Sequence, residues 1–222
     1  MSALETFLIE TVGDNYSLLT NPKDRRMAVV EQLGIKGMST ENVRYVINEL
    51  VKQYAKTYLE VGSYQGSTVI SAALFNPDVR CIAIDNFSEF DEHGVNKSTL
   101  LQNIKNAGVS NIELYDNDYE IAIADLFEKE PDLKVDVYFY DGNHTYEHQL
   151  NGLNLMKEHL SDKCIVFVDD CNWSHVQKAN LDWLSENEGF QIANIFTTGN
   201  APTWWNGLTI MYRGIEFFKK HK

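Results

Sequence analysis

The sequence predicts an α/β fold: a doubly wound, mostly parallel seven-stranded sheet with an antiparallel edge hairpin and N-terminal helices. Three observations carry this. After residue 55, short β-branched or aromatic runs alternate with segments of helical spacing, as βαβ units require. The runs are continuously apolar, as strands covered on both faces must be. With 4 prolines and 13 glycines, no Pro/Gly/Ser-rich linker divides the chain.

Residues 1–55 read as an N-terminal helical segment packed beside the sheet, and 56–222 as the main domain. Val43, Ile47, Leu50, Val51 and Tyr54 form a helical stripe, with Thr40 placed to cap it. Residues 16–38, ahead of the sheet, are a candidate lid. Strands are expected at 58–61, 81–85, 112–115, 135–140 and 164–168. Between them, Leu100, Leu101, Ile104 and Ala107 fall on one helical face, closed by Gly108. Leu150, Leu153, Met156 and Leu160 repeat the pattern. Segments 191–196 and 208–212, separated by a loop, make the hairpin.

The 222 residues are enough for one sizeable core, burying roughly 70% of the unfolded surface. A hydrophobic content of 44% against 23% charged excludes a mostly disordered chain. With 19 basic and 32 acidic residues the net charge is −13, so the basic footprint of a nucleic-acid binder is missing. Three scattered cysteines, Cys81, Cys164 and Cys171, supply neither a disulfide framework nor a paired zinc motif. Cys81 and Cys164 open apolar runs and read as small core residues. The first residues lack a basic segment followed by an apolar one, and no apolar run is long enough to span a bilayer. The expectation is a soluble, cytoplasmic protein with a small-molecule partner, compatible with a homo-oligomer and without membrane or nucleic-acid partners.

Ligands of open parallel sheets bind beyond the carboxyl ends of the strands, near the point where strand order reverses. The first strand ends in Glu60-Val61-Gly62-Ser63-Tyr64-Gln65-Gly66-Ser67-Thr68. Gly62 permits a tight turn, and Gly66 lets the next helix start close to a ligand. A GxGxxG fingerprint counted from Gly62 would need glycine at 64 and 67, where Tyr64 and Ser67 stand, so a cofactor without a pyrophosphate fits better. Asp85, followed by Asn86, lies 19 residues after Gly66, the spacing of a ribose-binding acid. Asp116-Asn117-Asp118-Tyr119 can read an adenine edge and cover its face.

The fourth strand ends in Tyr140-Asp141-Gly142-Asn143-His144-Thr145-Tyr146-Glu147, and the fifth in Val168-Asp169-Asp170-Cys171-Asn172. Adjacent strands lie about 5 Å apart, so Asp141, Asp169 and Asp170 converge. Their mutual repulsion calls for a positive partner, and hard oxygen donors suit Mg²⁺ or another divalent cation. The competing reading has Asp169 or Asp170 capping the next helix. Thr145 reads as a helix N-cap, which leaves His144 at the mouth of the site as a general base, a metal ligand or a surface histidine. Trp204 and Trp205 either wall an acceptor pocket or pack at the sheet edge.

Together these residues resemble class I S-adenosylmethionine-dependent methyltransferases over about residues 55–213. The likeness is to metal-dependent small-molecule O-methyltransferases of the macrocin and mycinamicin type, a family-24-like pattern that the cephalosporin-hydroxylase group shares. The resemblance implies a Rossmann-like domain binding S-adenosylmethionine through Glu60, Gly62, Ser63, Tyr64, Gly66, Ser67, Thr68, Asp85, Asn86, Asp118, Tyr119 and Asp141. It implies Mg²⁺ on Asp141, Asp169 and Asp170, His144 as the base with Asp141 in the catalytic set, and methylation of a hydroxyl on a sugar or diol-like acceptor. Cys171-Asn172 departs from the family, where a tyrosine is common after the paired acids. An NAD-type oxidoreductase and a non-catalytic nucleoside-binding protein are the rival readings.

Overall fold

The computed structural model describes residues 33–197 and 204–215. Helix α1 (Glu41–Tyr54) leads into β1 (Thr57–Val61), α2 (Ser67–Ala73), β2 (Arg80–Asp85), α3 (Asn96–Ala107) and β3 (Ile112–Asp116). Then follow α4 (Tyr119–Lys129), β4 (Val135–Tyr140), α5 (Tyr146–Met156), β5 (Leu160–Asp169), α6 (Ser174–Glu186), β6 (Phe190–Phe196) and β7 (Leu208–Arg213). The seven strands lie in the order β3-β2-β1-β4-β5-β7-β6. Strands β1 to β5 are parallel, and β7 runs antiparallel to both β5 and β6. The expected hairpin is present, but its second strand turns inward and leaves β6 at the edge.

Alternation along each strand builds two cores. Tyr58, Cys81, Ala83, Val137, Phe139, Ile165 and Phe167 face α1 and α2. Leu59, Val61, Ile82, Ile84, Tyr138, Tyr140, Val166 and Val168 face α4, α5 and α6. Both faces are apolar, which explains the unbroken hydrophobic runs. All three cysteines are free and buried.

Helix α1 starts where Thr40 accepts the Val43 N–H at 3.4 Å, a cap worth about 1 kcal/mol. Its Val43, Ile47, Leu50 and Val51 join the first core. Asn48 Nδ2 donates to the Ser71 and Leu74 carbonyls, both at 2.7 Å, and so ties α1 to the end of α2. Of the candidate lid, residues 16–32 lie outside the described residues.

Two helical stripes are corrected. In α3, Leu100 is buried and Ile104 and Ala107 pack on the core, but Leu101 is 49% exposed. It lies one residue step, about 100°, off the stripe, and polar Asn96 and Asn103 are buried instead. Leu160 shares a core with Leu153 and Met156 yet belongs to β5, because a 3₁₀ turn at Lys157–His159 ends the helix. Strand β5 begins four residues before its apolar run, since Ser161, Asp162 and Lys163 are polar.

Register places the site. Ile84, Val61, Tyr140 and Val168 pair in one row across β2, β1, β4 and β5. The next residues are Asp85, Gly62, Asp141 and Asp169, at the carboxyl edge. The reversal of strand order falls between β1 and β4. Here Gly62 has φ +90, and a Cβ on it would lie 1.9 Å from the Asp141 carbonyl oxygen. Gly62→Ala is therefore expected to destabilise the fold by about 3 kcal/mol or more, read as a lower urea midpoint. An unchanged midpoint would contradict this packing.

Candidate functional site

A cavity of about 660 Å³ opens along this edge, within the usual 300–1,000 Å³ of small-molecule sites. Gly62, Ser63, Tyr64, Ser67 and Thr68 form one wall, with Asp85 and Asn86 after β2 and Asp118 and Tyr119 at the start of α4. Asp141 and His144 enter from β4, and Asp169 and Asp170 from β5. Gly37 to Ser39, just ahead of α1, complete it.

Two of the sequence-predicted residues are not on the wall. Gly66, at φ +91, caps α2 and abuts Ile70 and Leu100. Glu60 lies beneath the loop, fully buried. Tyr58 Oη donates to its Oε2 at 2.6 Å, and Thr68 Oγ1 to its Oε1 at 3.2 Å. Burial pushes its carboxyl up to about 7 from 4.5, against the pull of those donors. The unfolded chain ionises first, so this group's stabilising contribution is complete below pH 4.5 and fades as pH rises through about 7. Across that window Glu60→Gln is expected to lose about 3 kcal/mol less stability than the parent, while the raised carboxyls of Asp85, Asp141 and Asp169 keep a slope in both. Equal slopes in parent and variant would contradict this.

Asp85 holds the β1 loop. Its Oδ2 accepts the Tyr64 N–H and its Oδ1 the Phe87 N–H, both at 2.7 Å. Burial raises its pKa, and the backbone donors oppose the rise. Each oxygen retains a lone pair for a ligand hydroxyl. Tyr64 adopts φ +47, so the backbone bends as at a glycine while a ring occupies the cavity wall.

The acidic centre joins β4 and β5. His144 Nε2 stands 3.4 Å from both Asp141 Oδ1 and Asp170 Oδ2. Its side chain is only 13% exposed, so it belongs to the site wall. His144 Nδ1, Asp169 Oδ1 and Asp170 Oδ1 are buried without a hydrogen-bond partner. Burial first, then the neighbouring carboxylates, hold Asp141 and Asp169 well above the usual carboxylate range. Asp170 sits at φ +55, a strained left-handed backbone. Neither acid caps α6, whose N-cap is Trp173 and lacks a side-chain hydrogen bond. Thr145 does cap α5, accepting from His148 N–H at 3.3 Å, and so leaves His144 in the loop.

Among the described residues, no three His, Cys, Asp or Glu are already arranged as a metal cage. The donor chemistry still fits a hard cation. Three carboxylates meet, two carry orphaned buried oxygens, and burial and mutual repulsion outweigh the neighbouring His144. The nucleoside half also fits: the Gly62–Thr68 loop and the Asp85 carboxylate, whose oxygens are held by the Tyr64 and Phe87 N–H groups, line the same side of the cavity.

Sequence reading missed the aromatic rim. Trp173 lines the cavity, edge-on to His144 with centroids 5.6 Å apart at 87°, and Tyr140 flanks that imidazole at 6.4 Å and 89°. His148 and His175 also reach the wall. The two adjacent tryptophans divide the two readings: Trp204 stacks on Phe196 at 3.8 Å, and Trp205 lines the cavity. Thr203 lies outside the described residues.

This strand order, with one reversed strand inserted beside the edge and a nucleoside-sized cavity at the carboxyl ends, defines the Rossmann-like methyltransferase fold. The chain belongs to the family described as "Methyltransferase domain", whose model matches residues 59–171. An O-methyltransferase from Bacillus cereus, solved with S-adenosylhomocysteine, superposes with a TM-score of 0.66 at 13% identity, covering 96% of this chain and 97% of that one. The O-methyltransferase TomG from Streptomyces achromogenes, involved in tomaymycin synthesis and solved with S-adenosylmethionine, gives 0.64 at 16% identity, covering 86% and 90%. An uncharacterized protein of Acanthamoeba polyphaga mimivirus is 27% identical over 131 residues, 57% of this chain and 58% of the relative. The chain thus spans less than two thirds of that relative's length. Among the described residues, no helix is long and apolar enough to cross a membrane.

Proposed function

We propose that the protein is an S-adenosylmethionine-dependent O-methyltransferase acting on a small hydroxylated acceptor, a sugar or other diol, with a divalent cation. One observation carries this reading. A ribose-type acid, a glycine-containing loop and a histidine–carboxylate centre stand at one edge of a sheet where strand order reverses.

Bound there, S-adenosylmethionine supplies a methyl group activated by its sulfonium charge. A divalent cation on Asp141, Asp169 and Asp170 supplies Lewis acidity and offsets their repulsion. Asp85 holds the ribose hydroxyls, Asp118 and Tyr119 lie on the adenine side, and the Gly62–Thr68 loop carries the amino-acid part, with Glu60 bracing it from below. Asp141 and Asp170, each 3.4 Å from Nε2, hold the imidazole of His144 at the cavity wall. His144 would take the proton of an acceptor hydroxyl held in the cavity, and the bound donor would supply the methyl group to that oxygen and leave as the neutral thioether. Holding both reactants in the cavity makes the step effectively unimolecular. Residues 33–55 serve as packing and wall.

Tyr64 opposes the NAD-type reading, because a tyrosine stands at the position of the second glycine that a pyrophosphate requires. Calorimetric titration tests the cofactor class. S-adenosylhomocysteine is expected to bind and NAD to leave the heat unchanged; the reverse order would overturn the proposal.

A further inference from the structure

We infer that the acceptor end of this cavity is an aromatic-walled, anion-rejecting site. It takes an uncharged or cationic hydroxylated ring lying against Trp173 and turns away congeners that carry a carboxylate or phosphate. The inference rests on the methyl-transfer reading only in assigning this end to the acceptor.

The first observation is the placement of the two indoles. Trp173 is 43% exposed, an unusual share for so large an apolar surface, and that surface opens on the cavity. Its main chain is pinned: the backbone N–H donates to the Asp170 carbonyl at 3.0 Å, and the backbone carbonyl accepts from Gln177 N–H at 3.0 Å. The indole also touches the His144 imidazole edge-on, so a ring laid against it brings a hydroxyl near the proton acceptor. Trp205 is held by a second turn, in which Gly207 N–H bonds the Trp204 carbonyl at 2.8 Å and Asn206 O accepts from Asn172 N–H at 2.7 Å. Flat apolar faces beside polar groups suit hydroxylated rings. Both indoles lie after residue 171, outside the stretch shared with the family.

The second observation is charge. The described wall carries six carboxylates, Asp85, Glu89, Asp118, Asp141, Asp169 and Asp170, and no lysine or arginine. Asp169 is 2% and Asp170 7% exposed, each with a buried oxygen that lacks any partner. An anionic substituent would therefore meet fixed like charge in a poorly solvated place. Without a cation or a sulfonium donor this charge stands in full at the acceptor end, on Asp141, Asp169 and Asp170, and the charge order is therefore read in that state.

Three rings sharing one diol test the inference: catechol, dopamine and 3,4-dihydroxybenzoate, titrated calorimetrically into the full chain with S-adenosylhomocysteine and EDTA. Catechol and dopamine are expected to bind at least tenfold tighter than the benzoate. Asp170→Asn should narrow the gap. Trp173→Ala should weaken catechol at least tenfold, while Trp173→Phe, which keeps an aromatic face, retains most of its affinity. Equal binding of all three, binding of none, or an unaffected Trp173→Ala would overturn the inference. The charge order without methyl transfer to any diol would sink the methyltransferase reading and leave this one standing. Methyl transfer that ignores the carboxylate would do the opposite.

Discussion

Replacing His144 with alanine is expected to lower turnover by about 10²–10⁴-fold while leaving the affinity for S-adenosylhomocysteine nearly unchanged. The size follows from removing a general base. The selectivity follows from position. His144 contacts Asp141, Asp170, Tyr140 and Trp173, whereas the loop that would carry the nucleoside is organised separately by Asp85 and Gly62. Steady-state rates and calorimetry on the same preparation separate the two effects. Turnover equal to that of the parent would exclude His144 as the base. A parallel loss of cofactor binding would mean that the substitution had collapsed the cavity.

Asp169→Asn carries an effect of opposite sign on stability and activity. Burial first, then the neighbouring carboxylates, push the Asp169 pKa well up, so the metal-free fold disfavours the charged form at this position. The amide keeps the shape and removes that charge. The metal-free protein should gain about 1–3 kcal/mol, a rise of about 2–4 °C in melting temperature per kcal/mol. The same variant should lose turnover and the increase in melting temperature that Mg²⁺ gives the parent. A variant that melts lower than the parent without metal, yet still responds to Mg²⁺, would contradict the assignment.

The acidic edge was legible because strand ends punctuate the sequence. Asp85, Asp141 and Asp169 each terminate an apolar run, and parallel pairing brings such ends into one row. Glu60 lies off the cavity wall, and the signal for that is in the sequence. Side chains alternate along a strand, so Glu60 shares its face with Tyr58 and lies under α2. The position of β7 between β5 and β6 had no local signal, since pairing partners are set by contacts far apart in sequence. Trp173 was invisible for another reason. It caps α6 without a polar side chain, so no capping pattern marks it. Tyr64, Phe90, Asp170 and Trp205 all line the cavity with positive φ, a conformation that bulky residues adopt only where surrounding structure enforces it. Such enforcement is tertiary and leaves no trace in composition.

The central claim, cation-assisted methyl transfer to a diol, is tested most directly by following labelled methyl from S-adenosylmethionine into diol-containing sugars and catechols, with and without EDTA. Label should appear on at least one diol, vanish with EDTA and return when Mg²⁺ is added in excess. Label that reaches no diol, or transfer that EDTA leaves untouched, would contradict it.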